Sequence, residues 1–256
     1  MNSQTENQTT NMNKFKLTEE VRQIHELTLY RVEALCAFGR VKAGDKGGWI
    51  EKEENLTQDG NAWVYDNACV HGDARVSDDA RVYGDARVYG DAQVHGDARV
   101  YGYTRVCGDA CICGDARVCG DARVHGDARV YGDARVHGDA CIYGDAQVYG
   151  YACIYGDTCV HGNARVYDHA RVYGDAQILG DAVVRDVGDY ITISGLEHRF
   201  TWTKSNNQLV IGCERTSVEK WWELTYTDIA NDVPCVTWVF RALFADQNPN
   251  TQKDTA

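Results

Sequence analysis

Imidazole and thiol groups recur along this chain at one fixed interval or twice that interval: Cys107 with His125, Cys141 with Cys159, His125 with His161. Groups of these two types bind zinc-like cations, and histidine also moves protons near neutral pH. His137 is a further histidine at an equivalent position of the sequence pattern. Residues so distant act together only if the chain returns to the same place at that interval. The elements between them therefore decide what chemistry is possible.

From Val64 to Val184 a branched aliphatic residue recurs every six positions with no insertion or deletion, giving 21 successive hexads. The third residue of each hexad is Gly or, at Asp66, Asp78, Asp168 and Asp186, Asp. The fifth is Ala or Thr until the last hexad, which has Gly188. A period of six is not helical, because one face of a helix repeats at three, four and seven. It does fit alternation by two, so the first and fifth positions can point the same way along a strand. A Gly replaceable by Asp marks a corner of positive φ or crowded backbone. Each hexad is then a short strand and a turn.

Three such hexads close one triangular coil, with Val or Ile inside and Ala where space narrows. Coils stacked at roughly 4.8 Å form parallel sheets. The pattern predicts about seven coils and a filled rod whose outward residues line up in columns.

These V-x-G-D-A-x repeats resemble the hexapeptide motif of left-handed parallel β-helix proteins. The flanks VKAGDKGGWIEKEENL (41–56) and DYITISGLEHRFTWTKSNNQLVIGC (189–213) resemble those of largely uncharacterised hexapeptide-repeat proteins carried by phages and bacterial genomes. The resemblance implies the left hand of the coil. It also implies acyl transfer from coenzyme A or acyl carrier protein as an activity, with a histidine as general base between subunits of a trimer. His125, His137 and His161 are the candidate bases, and acetyl-coenzyme A the cofactor. Family enzymes usually break the coils with a loop that walls the pocket, and many end in a Gly-Asn-Pro-Ala-like turn. This chain has neither, so acyl transfer is the alternative reading. Relatives that hold zinc between subunits use three histidines. His125 and His161 match part of that set, but the third position is Val166. No bound metal is expected.

The outward columns favour a different use. One reads Tyr65, Tyr83, Tyr101, Cys119, His137, Tyr155, Tyr173, and an adjoining column carries Arg81, Arg99, Arg117, Arg135 and Arg171. Asp79, Asp97, Asp115 and Asp133 precede the first four arginines by two positions and make that face nearly neutral. The rows either brace the sheet or bind a protein partner. The expected function is a rigid non-enzymatic interaction module, engaged during phage infection, with no cofactor. Its binding residues would be Tyr65, Tyr83, Tyr101, Tyr155 and Tyr173, or Trp221 and Trp222 of the C-terminal cap.

A net charge of −12 disfavours nucleic acid and anionic membranes as partners. Eleven cysteines, an odd number without an export signal, read as reduced thiols in a cytoplasmic protein. The rod should be flanked by a polar disordered tail (1–13), an N-terminal cap (14–63), an α+β C-terminal domain (187–245) and a loose tail (246–256). Within that domain RFTWTK and QLVIGC should pair as a hairpin. Thr216 and Glu219 have capping-box spacing for a helix start. A dimer or trimer is compatible with these features.

Overall fold

The computed structural model describes residues 13–193, 200–205, 208–211 and 214–217. Its middle is a run of 21 two-residue strands, one per hexad, from β4 (Trp63–Val64) to β24 (Val183–Val184). Each strand pairs in parallel with the one three hexads further on, as Arg99 with Arg117 and Val100 with Val118. Every third strand falls in the same sheet, so three sheets enclose the rod. We call the sheets containing β4, β5 (Cys69–Val70) and β6 (Arg75–Val76) the first, second and third faces.

The residue pattern accounts for the coil. Each Val or Ile of the repeat from Val64 to Val184 is fully buried, and so is the Ala two positions before it. Two coils carry Thr in place of Ala. Thr104 and Thr158 remain buried because their hydroxyls donate to the carbonyls of Tyr101 and Tyr155, 2.7 Å away in each case. The corners have positive φ, near +70° at most glycines and +52°, +58° and +57° at Asp66, Asp78 and Asp168. Asp186 departs from this conformation and leads into the short 3-10 turn Val187–Asp189.

The rod is longer than the unbroken repeat. Before it, β1 (Phe15–Ile24) and β2 (Leu27–Ala34) form an antiparallel hairpin, and β2 pairs with β3 (Lys46–Ile50). β3 then pairs in parallel with β5, Ile50 opposite Val70, and Leu56 lies opposite Val76. The second face thus has eight parallel rungs, and the rod about eight turns. The added coil is longer than the regular ones by two positions, because Leu56 and Val64 are separated by eight positions instead of six. The hairpin covers the outer edge of the second face, which would otherwise be open to pairing with another chain.

Polar side chains close the two ends. Asn55 is buried, and its amide donates to the carbonyls of Gly72 and Ala74 at 3.0 and 2.8 Å. The buried Lys14 ammonium donates to the carbonyls of Asp59, Gly60 and Ala62 at 3.2, 3.4 and 3.1 Å. Burial lowers its pKa to about 8. At the other end the last rungs have outward N–H groups with no further coil to receive them. Tyr173 N–H donates to the Tyr190 hydroxyl (3.2 Å), which donates to the Arg171 carbonyl (3.0 Å). Gln177, Val183 and Arg185 N–H groups donate to Thr201 Oγ1, Ser205 Oγ and Asp189 Oδ2.

These acceptors precede, belong to or connect the strands of an antiparallel sheet of β25 (Tyr190–Ile193), β26 (Phe200–Thr203), β27 (Gln208–Ile211) and β28 (Glu214–Ser217). β26 and β27 pair as the expected hairpin, Thr203 opposite Gln208. Thr216, where the capping signal predicts a helix start, is instead a strand residue opposite Leu209, and Glu219 lies outside the described residues. The pairing of a whole strand outweighs a local capping signal. Trp221, Trp222, the tail 246–256 and residues 1–12 of the N-terminal tail lie outside the described residues.

Candidate functional site

The third face carries the densest group of reactive side chains. Cys111 and Cys113 flank Ile112, whose side chain is fully buried. Alternation along the strand therefore turns both thiols outward. His95 stands one coil before Cys113 in the same column, and its ring leans diagonally so that Nε2 lies 3.5 Å from Cys111 Sγ. The two residues are 16 apart in sequence, one coil less the two positions that separate outward neighbours on a strand. His95 Nε2 or Nδ1 and the two sulfurs all lie within 4.8 Å of one another.

Asp78 stands behind the imidazole. It occupies a corner of positive φ, its Oδ2 accepts the Gly96 N–H at 3.0 Å, and the same oxygen lies 3.7 Å from His95 Nδ1. A corner conformation that favours Gly, Asp or Asn thus also supplies a fixed carboxylate. Burial, together with the neighbouring Cys111, raises the Cys113 pKa to about 11. His95 borders a cleft of about 660 Å³ between the added coil and the third face, lined also by Glu53, Glu54, Arg75, Ser77 and Gln93. Imidazole, paired thiols and a carboxylate are a donor set for a soft or borderline cation, or for thiol chemistry.

The histidines singled out from sequence sit elsewhere. His125 and His161 do share a column on the second face, but the Tyr143 ring is stacked between them, 5.0 Å from one and 4.5 Å from the other. They cannot share one ion. His125 Nε2 is 3.8 Å from Cys141 Sγ, the same diagonal as on the third face. Cys107 bonds to the Tyr89 hydroxyl. Cys141 and Cys159 are in contact, and hydrogen bonding to Cys159 and burial push the Cys141 thiol well up. On the first face His137 packs edge-on to Tyr155 at 4.0 Å, and burial lowers its pKa. None of these three histidines lines the cleft. The nine described cysteines are free thiols.

The tyrosine row of the first face is real but interrupted. Tyr83 and Tyr101 stack in parallel at 4.9 Å, and Tyr65 meets Tyr83 edge-on at 6.3 Å. The Tyr101 hydroxyl bonds to Cys119, which pushes its pKa up to about 12. Tyr155 lies under His137, and Tyr173, 55% exposed, meets Tyr190 edge-on. Among the described residues the adjoining arginines make no ion pair within 4.0 Å, so the aspartates at the corners leave the guanidinium groups unpaired. No described helix is long and apolar enough to cross a membrane.

A register of one coil per three hexads, three sheets and a filled core together define a parallel β-solenoid repeat protein. Within that class, the family model described as YdcK beta solenoid repeat matches residues 74–90, 80–96, 92–108, 110–126, 128–144 and 164–180. The chain is similar to a protein of Escherichia coli (strain K12) named as uncharacterized acetyltransferase YdcK, 38% identical over 63 residues. That similarity covers 22% of this chain and 19% of the relative's length.

Proposed function

We propose that this solenoid is a rigid, non-enzymatic scaffold that holds a protein partner on its first face. The observation that carries the reading is the pairing of two rows: Tyr65, Tyr83 and Tyr101 in ring contact, beside Arg81, Arg99, Arg117 and Arg135 without close carboxylates. Tyrosine and arginine are among the side chains most enriched at protein contact sites. Here the ladder fixes them before binding, which lowers the entropic cost of association. The arginine row suits an acidic partner segment. A setting in phage infection, suggested by the flanking sequences, belongs to the same proposal.

The experiment compares wild type with the triple variant Tyr65→Ser, Tyr83→Ser, Tyr101→Ser. A photo-crosslinker at Tyr173 identifies the partner, whose affinity for both chains is then measured. The variant is expected to bind at least about 10-fold more weakly. Equal affinity rules out this face as the binding surface.

The similarity to a named acetyltransferase favours a second reading, acyl transfer from acetyl-coenzyme A. His125, His137 and His161 each pack against an aromatic ring away from the cleft, whereas His95 borders it. A transferase would therefore use His95 as its base. Saturable acetyl-coenzyme A binding that is weakened by His95→Ala supports this second reading, and absence of binding removes it.

A further inference from the structure

We propose that His95, Cys111 and Cys113 bind one zinc-type divalent cation, with the Asp78 carboxylate orienting the imidazole. The geometry is close to that of a bound site. Tetrahedral zinc with its usual bonds to sulfur and nitrogen requires an S···N edge of about 3.6 Å. The His95 Nε2 to Cys111 Sγ distance is 3.5 Å, and all three donor atoms fit within 4.8 Å. Two thiolates and a neutral imidazole balance a charge of +2, and sulfur donors select zinc-like ions over calcium or magnesium.

The surroundings fit the same assignment. A ligating histidine commonly directs its second ring nitrogen at a carboxylate, which fixes the tautomer and the ring orientation. Asp78 Oδ2 faces His95 Nδ1 at ion-pair distance and is itself held by the Gly96 N–H. Three protein ligands leave a fourth tetrahedral position for water or a small ligand. At a second close Cys–His contact, Cys141 with His125, the neighbouring Cys159 does not complete a group of three donor atoms all within 4.8 Å of one another among the described residues. The proposal stands apart from the partner-binding reading, since it concerns a different face.

The test titrates Co²⁺ into the reduced, metal-free full chain and follows thiolate-to-cobalt charge transfer and ligand-field absorption. Wild type is expected to bind one equivalent with the spectrum of a tetrahedral thiolate site. Cys111→Ser, Cys113→Ser and His95→Ala should each weaken binding by about 100-fold or more. Asp78→Asn keeps an acceptor for Gly96 and tolerates the corner, yet should weaken binding by about 10- to 100-fold. The double variant Cys141→Ser, Cys159→Ser should bind as wild type does. As a readout independent of absorbance, Zn²⁺ should raise the melting temperature of wild type but not of Cys113→Ser. Binding that survives Cys113→Ser, or that is lost only with Cys141 and Cys159, marks an adventitious ion only and overturns the proposal.

Discussion

Replacing Gly102 by Ala isolates the physics of the corners. Gly102 has φ +79°, and a Cβ there would stand 2.8 Å from the carbonyl oxygen and 3.0 Å from the nitrogen of Gly120, one coil on. The left-handed backbone alone costs about 1–2 kcal/mol for a residue with a Cβ. Crowding against backbone held on both sides by the ladder adds about 1–3 kcal/mol. Gly174 separates the two effects: it has φ +71° but nothing within 4 Å of its added Cβ, because no regular coil follows. Gly174→Ala should therefore show the backbone cost only. Gly102→Asp should be milder than Gly102→Ala. Asp66 and Asp78 occupy such corners and accept the N–H of Gly84 and Gly96 at 3.1 and 3.0 Å, a bond alanine cannot make. Urea unfolding followed by circular dichroism and tyrosine fluorescence, with coincident transitions, gives the three free energies. A Gly174→Ala cost equal to that of Gly102→Ala, or a Gly102→Asp cost above that of Gly102→Ala, would contradict this division of the corner energy.

Three further outcomes follow from the core and the ends. Ile142→Ala removes a fully buried side chain from a filled interior and should cost about 2–5 kcal/mol in the same unfolding assay. Tyr190→Phe deletes the hydroxyl that joins Tyr173 N–H to the Arg171 carbonyl; it should cost about 1–2 kcal/mol and speed hydrogen exchange at the Tyr173 amide. Lys14 has a folded pKa of about 8 against 10.5 for the free side chain, so the unfolded chain binds this proton more tightly. Its contribution to stability thus rises with pH between those values. Wild type should gain about 1 kcal/mol over Lys14→Met from pH 7 to pH 9, compared by urea unfolding.

The rod was legible because each signal in it is repeated and purely local. Val at one position, Ala two before it and Gly two after it fix the inward side and the corner without reference to distant contacts. The added coil was hidden: Trp49, Ile50 and Leu56 belong to it, but the eight-position step from Leu56 to Val64 breaks the count, and Asn55 is a buried polar group there. The His95–Cys111–Cys113 group was also missed. A search down columns spaced by one coil pairs His95 with Cys113 but passes over Cys111, which is reached by the lean of a ring across the strand. Conversely, His125 and His161 were aligned correctly, but the ring of Tyr143 between them decides that they do not meet. Side-chain direction, which periodicity does not carry, separates the two cases.

The stacking itself is open to direct measurement. Spin labels attached through non-natural residues at Asp85 and, in turn, at Asp139, Asp157 and Asp175 span three, four and five coils of one corner column. The mean distance should grow by about 4.8 Å with each coil, from about 14 to about 24 Å, in a single narrow distribution. Distances that do not increase steadily along this series, or broad distributions at every pair, would contradict an in-register solenoid.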